Sequence, residues 1–167
     1  MFNRYLILFF LIFLPFKVNA LIEVDITRGN LNPLPLAVSP LSIDEKSRIS
    51  FEKELKKKNI GAEISSIVEN NLRISGLFNP LNKDAFLQKP DIANLKPRFE
   101  DWNLIKAQAL ITGKVSYQNE KLRVEFRLWD VLAGKEMMAL AFTTVPNNWR
   151  RVGHIISDKV YERLTGE

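Results

Sequence analysis

The chain has 167 residues, a formal net charge of +5 and no cysteine. That length suits one domain burying about two thirds of its unfolded surface, and the absence of cysteine excludes a disulfide framework or a thiolate metal site. The charge excess is too small to argue for nucleic-acid binding, and two of its cations, Arg4 and Lys17, fall within an N-terminal leader.

The leader is legible as such. Residues 1–5 are a short polar start carrying Arg4, and residues 6–14 form an unbroken apolar run. A helix of that length reaches only about 14 Å, against about 30 Å of bilayer hydrocarbon, so it is too short for a membrane anchor. Pro15 breaks the run, and Val18, Asn19 and Ala20 provide tolerated residues before a signal-peptidase site. This is the pattern of a secretory signal cleaved after Ala20, with an uncleaved N-terminal anchor as the alternative. No cysteine follows the apolar run, which excludes a lipoprotein anchor. The mature chain is expected to begin at Leu21 and to work outside the cytoplasm.

From Leu21 the pattern moves between the two structural periods. Ile22, Val24 and Ile26 share one face of an extended segment and Glu23, Asp25 and Thr27 the other, the period of a half-buried strand. Residues 28–33 are a turn or linker containing Gly29. A compact apolar strand follows over residues 34–38, closed by Pro40. Residues 42–59 are the least legible: Ile49, Phe51 and Leu55 could anchor a charged helix or a long loop. Lys53, Lys56, Lys57 and Lys58 there are interleaved with Glu52 and Glu54 and read as a solvated face.

Beyond Gly61, Ile64, Ile67, Val68 and Leu72 fall on one helical face, and Gly76 stands where a left-handed cap is expected. Residues 77–81 leave as a short extended piece, and residues 82–96, polar and containing Pro90, read as a surface connection. Pro97 is placed to open another helix with a stripe of Phe99, Trp102, Ile105 and Ala109. Three antiparallel strands are then expected. The first covers residues 110–117; the second alternates Leu122, Val124, Phe126 and Leu128 with Arg123, Glu125, Arg127 and Trp129; the third carries Met138, Leu140 and Phe142. A last helix begins near Asn148, turns Trp149, Val152, Ile156, Val160 and Leu164 inward, and stops at Gly166.

The search for chemistry is mostly negative. There is one histidine, no glycine-rich phosphate loop and no metal-ligand spacing. His154 lies within the last helix without a carboxylate pattern beside it, as packing or capping histidines do. Ser39 and Ser66 lack the glycines of a nucleophile elbow. Glu100 with Asp101, Glu52 with Glu54, and Asp44 with Glu45 are adjacent carboxylates in polar stretches where a solvated surface accounts for them. Trp102, Trp129 and Trp149 read as core or interface residues. No cofactor or metal is implied, and the chain does not read as an enzyme.

Four segments, taken in order behind a signal sequence, carry a resemblance. They are LIEVDITRG at residues 21–29 with LPLAVSP at 34–40, IVENNLRISGLFNPL at 67–81, FEDWNLIKAQALITGKV at 99–115, and WRRVGHIISDKVYERLTG at 149–166. Together they resemble the amino-terminal domain family of TolB, the periplasmic component of the Tol–Pal system of Gram-negative envelopes. The resemblance covers nearly all of residues 21–167, with 42–59 the poorest match. It implies an α/β domain over residues 34–167, a mixed sheet flanked by helices and similar to the anticodon-binding domain of some tRNA synthetases; a shared fold carries no tRNA-binding function with it.

The resemblance also implies a role. The family couples the inner-membrane protein TolA to the outer-membrane Pal complex without enzymatic activity, in envelope integrity, division and protein import. Its contact with Pal belongs mainly to a six-bladed propeller that follows this domain, and no propeller sequence follows Glu167, so the chain reads as a fragment or as a domain standing alone. No Pal-contact residue carries over. The segment that does carry over is the mobile N-terminal strand that engages TolA, matched here by Leu21, Ile22, Glu23, Val24, Asp25, Ile26 and Thr27. A permanent first strand of the domain's own sheet is the structural alternative for these residues. A periplasmic ligand- or polysaccharide-binding α/β module is the alternative function, and it would need a concave apolar pocket with converging polar groups.

Overall fold

The computed structural model describes residues 32–166. The signal sequence, its cleavage after Ala20 and the alternating segment at residues 21–27 lie outside the described residues. Within them the chain forms β1 (Leu34–Val38), β2 (Ser42–Ile43), α1 (Glu45–Leu55), α2 (Ile60–Ile74), β3 (Phe78–Pro80), α3 (Pro90–Leu95), α4 (Phe99–Leu104), β4 (Ala109–Gln118), β5 (Lys121–Asp130), β6 (Lys135–Thr144) and α5 (Trp149–Thr165). The strands make one sheet in the order β3-β1-β4-β5-β6, with β2 also on β4. β1 is parallel to both β3 and β4, whereas β4, β5 and β6 form an antiparallel meander. The architecture is therefore a mixed sheet flanked by helices.

The alternation in β5 shows why the sheet has a wet side and a dry side. Leu122, Val124, Phe126 and Leu128 are buried, while Arg123, Glu125, Arg127 and Trp129 between them are half-buried. The hairpin into β5 turns on Asn119 and Glu120, both at positive φ (49° and 59°), the twist that a two-residue hairpin needs. The next hairpin turns through Gly134 at φ 62°.

The main core lies between the dry face and helices α1, α2 and α5, which contribute Phe51, Ile60, Ile64, Val68, Leu72, Trp149, Val152, Ile156, Val160 and Leu164. α5 carries the inward stripe expected of it and ends at Gly166, whose φ of 79° lets its amide reach back to the Glu162 carbonyl. α2 and α5 approach closely at Gly153, where a β-carbon would fall 2.9 Å from Ile67 Cγ2. A smaller cluster occupies the opposite face, where Ala37, Leu110 and Val131 meet Ala93, Trp102 and Ala107.

Of the two alternatives for residues 42–59, the structure has the helix, α1, opened by Asp44, whose Oδ1 accepts the Ser47 amide at 2.9 Å; three other expectations are corrected. Of the three anchors named for that stretch, Phe51 is buried but Ile49 is 60% exposed, because α1 touches the core along a narrow line. Residues 82–96 are not merely a surface connection: Pro90 begins α3 rather than breaking a helix, and Ala93 is fully buried. The helix expected after Pro97 stops at Leu104, because Lys106 adopts φ 65° and turns the chain into β4. Ala109 thus opens a strand, opposite Leu36 of β1, and does not extend the stripe of Phe99 and Trp102.

Candidate functional site

The candidate partner-binding residues Leu21, Ile22, Glu23, Val24, Asp25, Ile26 and Thr27 lie outside the described residues, but their point of attachment is defined. Leu34 opens β1, and its amide donates to the Leu77 carbonyl at 2.9 Å. β1 lies between β3 and β4, so both of its edges are paired. Among the described strands, β2 and β3 offer edges of only two and three residues. The long unpaired edge among the described strands is that of β6, ten residues.

That edge has two distinct flanks. Through their partners on β5, Met138, Leu140 and Phe142 stand on the core face, level with Leu128, Phe126 and Val124. Ala139, Ala141 and Thr143 stand on the outer face beside Arg127, Glu125 and Arg123. A bulge at Leu128 and Trp129 leaves Met137 as the extra residue, and its carbonyl accepts from Arg163 Nε at 3.3 Å. Along α5 the edge is grooved. One hollow of about 340 Å³ lies between Met138 and Lys159, Glu162 and Arg163; another of about 240 Å³ lies between Phe142 and Arg151, Val152 and Ile155. The sequence pattern placed β6 in the meander but did not mark it as the outer strand. The available signal was that residues 137–144 contain neither charge nor proline.

The adjacent carboxylates are engaged separately. Asp44 caps α1, and the Ser47 amide holds its carboxyl below the usual carboxylate range, against a smaller opposing effect of burial. Glu45 pairs with Arg48 at 3.5 Å, and Glu52 with Lys58 at 3.2 Å. Glu54 accepts from the Tyr117 hydroxyl at 2.5 Å, which pushes that phenol up to about 12. Asp101 accepts from Arg98 Nε at 2.8 Å. For Glu69, burial raises the carboxyl, but Lys83 and Arg73 outweigh it and the net shift is downward.

Nor do the remaining candidates assemble into a reacting group. His154 is exposed, with Nδ1 2.8 Å from Asn71 Nδ2. Ser66 donates to the Ala62 carbonyl at 2.9 Å, and Ser39 to Pro40 at 3.4 Å. Trp102 is buried and donates to Gln88 Oε1 at 2.8 Å, Trp129 donates to Thr112 Oγ1 at 2.9 Å, and the Trp149 ring has Arg150 at 4.2 Å and Lys57 at 5.2 Å from its centroid. A hollow of about 490 Å³ near β2 is lined by charges of both signs, including Asp44, Glu45, Arg48, Asp91 and Lys114, unlike the apolar pocket a ligand-binding module needs. Among the described residues no group of three His, Cys, Asp or Glu could hold a metal ion, and no helix is long and apolar enough to cross a membrane.

A profile of the TolB amino-terminal domain matches residues 22–137. The Tol-Pal system protein TolB of Pelagibacter ubique (strain HTCC1062) is 79% identical over 164 residues, covering 98% of this chain and 36% of that protein. The crystal structure of TolB from Acinetobacter baumannii matches with a TM-score of 0.63 at 20% identity, covering 87% of this chain and 32% of that one, a likeness of fold. The chain thus spans about a third of the length of these relatives. The profile runs from Ile22 of the alternating segment through the parallel strands and most of the meander, and on that match the chain belongs to the TolB amino-terminal domain family.

Proposed function

We propose that this chain acts in the periplasm as a non-enzymatic coupling domain of the Tol–Pal system, and that its N-terminal segment is the strand that engages TolA. The observation that carries the reading is the pairing of β1 on both edges. It leaves no edge of β1, the next strand in the chain, for the alternating segment to join. Such a segment binds by adding to a partner's sheet edge: main-chain hydrogen bonds supply affinity, and Ile22, Val24 and Ile26 supply an apolar face. Glu23 and Asp25 on the other face favour a basic edge on TolA. The 79% identical relative, a Tol-Pal system protein, supports placement in that system. Coupling to Pal, and through it a part in outer-membrane integrity and constriction at division, requires a propeller and is proposed only for a protein that carries one.

The test is binding to the C-terminal domain of TolA. Val24→Pro removes one backbone donor and rarely fits a paired strand. It is expected to abolish binding while the melting temperature of the domain stays unchanged. Retained binding by the folded variant would overturn the reading.

A further inference from the structure

We propose that the hollow where the parallel strand pairing ends binds a small zwitterion, a molecule whose ammonium and carboxylate are joined by a short aliphatic stem. This goes beyond the TolA reading and does not depend on it. Topology sets the position. β1 and β2 both run parallel to β4, and that pairing ends at Ile43 and Val115. From β1 and β2 the chain crosses through α1 and α2 to β3 on one side; from β4 it continues to β5 on the other. Connections that diverge in this way open a crevice outside the carboxyl ends of the strands, which is where open α/β sheets bind ligands. The helices beside it belong to opposite faces of the sheet, α1 packing on the main core through Phe51 and α3 on the smaller cluster through Ala93. The hollow of about 490 Å³ lies between them and is also lined by Ser42 and Ile43 of β2 and Lys114 of β4.

The lining divides by charge. From α3 come Asp91 and Asn94, three residues apart and so on one helix face. Asp91 has no ion pair among the described residues. Asn94 Oδ1 is buried without a hydrogen-bond partner, an acceptor that a turn of the side chain can offer to a donor in the hollow. From α1 and β4 come Arg48 and Lys114. Arg48 Nη1 is 3.5 Å from Glu45, and Lys114 Nζ is 3.9 Å from Asp44. Charge-assisted hydrogen bonds run at about 2.7–2.9 Å, so both cations are loosely held, in half-exposed pairs that are weak in water. The Asp44 carboxylate is already engaged by the Ser47 amide and hydroxyl, and Lys114 can turn to a ligand at little loss.

Ligands with a single charge match this lining poorly. A simple anion drawn to Arg48 and Lys114 meets Asp44, Glu45 and Asp91 as well, and a simple cation drawn to Asp91 meets Arg48 and Lys114. An apolar molecule would strip water from all five charges without replacing it. A ligand of both signs satisfies the two sides together, its carboxylate on Arg48 and Lys114 and its ammonium on Asp91 and Asn94. The stem between them has apolar contacts in the same hollow, Ile43 and Leu95, the latter 84% exposed.

Amide resonances of the exported, purified chain test this with 6-aminohexanoate as the probe, set against hexanoate and hexylamine, which carry one charge each. 6-Aminohexanoate is expected to give saturable shifts confined to residues 43–48, 91–95 and 114, and either single-charge molecule to bind roughly tenfold more weakly. Asp91→Asn should weaken 6-aminohexanoate by roughly tenfold and leave hexanoate unchanged; Lys114→Met should weaken it by roughly as much and leave hexylamine unchanged. Both side chains are exposed, so the variants are expected to keep the fold and its melting temperature. L-lysine and the peptide Ala-Ala-Lys present the same two charges, and their relative affinities separate a free amino acid from a peptide end as the source. No saturable shift with 6-aminohexanoate, shifts centred away from the hollow, or hexylamine binding as tightly as 6-aminohexanoate would overturn the proposal. So would variants that bind 6-aminohexanoate as the unaltered chain does.

Discussion

Gly61 lies against the carbonyl oxygen of Leu41, so closely that a β-carbon on Gly61 would fall 2.2 Å from it. One turn along α2, Ser65 completes the joint. Its Oγ accepts the Leu41 amide at 3.0 Å, and lies 3.1 Å from the Ser39 carbonyl and 3.0 Å from that of Gly61, to either of which it can donate. The chain between β1 and β2 is thereby fixed to the first turn of α2. Gly61→Ala is expected to push this link outward and cost about 1–3 kcal/mol. A urea titration should show a lower midpoint at unchanged slope; an unchanged midpoint would mean that the Leu41 backbone yields freely.

The inward face of α5 supplies the second prediction. Ile156 is 1% exposed among the core residues, so Ile156→Ala should cost about 2–5 kcal/mol through lost burial and the cavity left behind. His154, two residues earlier, is exposed and, among the described residues, bonded to Asn71. His154→Ala should be mild by comparison. Equal losses in denaturant titrations of the two variants would contradict this assignment of the helix face.

Asp44 makes the stability of α1 depend on pH. Its carboxyl is held below the usual range chiefly by the Ser47 amide, with the Ser47 hydroxyl and Lys114 adding to it and burial opposing. At acid pH the folded state therefore binds fewer protons at this group than the unfolded chain does. The contribution is present above the ordinary carboxylate value of about 3.9 and is lost as pH falls through the lower folded value. Asp44→Ala should cost about 0.5–2 kcal/mol at neutral pH. Melting curves of the two proteins should converge at strongly acid pH, and a gap that persists there would refute the capping account.

Export has a direct readout. Periplasmic material should give an N-terminal sequence starting LIEVD, from cleavage after Ala20. Protein that keeps Met1 and stays in the membrane fraction would show the leader to be an anchor.

How much of this was legible depends on how sharply each segment repeats. β5 alternates over its whole length and α5 carries an uninterrupted apolar stripe, so both could be read from the sequence alone. α1 could not, because it buries only Ser47 and Phe51 and ends on Lys56 at φ 57°, where a glycine would have marked the boundary. Lys106 hid the end of α4 in the same way. The hydrophobic pattern of Met138, Leu140 and Phe142 identified a strand, but not that among the described strands its other side is unpaired, since strand order depends on contacts distant in sequence. The parallel pairing of β1 on both edges was equally unreadable, and it bears most on the N-terminal segment.

The central claim is that this segment is a partner-binding strand and not a permanent member of the domain's sheet. Deleting residues 21–27 and titrating the variant calorimetrically against the C-terminal domain of TolA, with its melting curve measured alongside, addresses that claim most directly. The account predicts that binding is lost while the melting temperature and far-UV spectrum are kept. Undiminished binding by a well-folded deletion variant, or a loss of binding that only tracks unfolding, would contradict it.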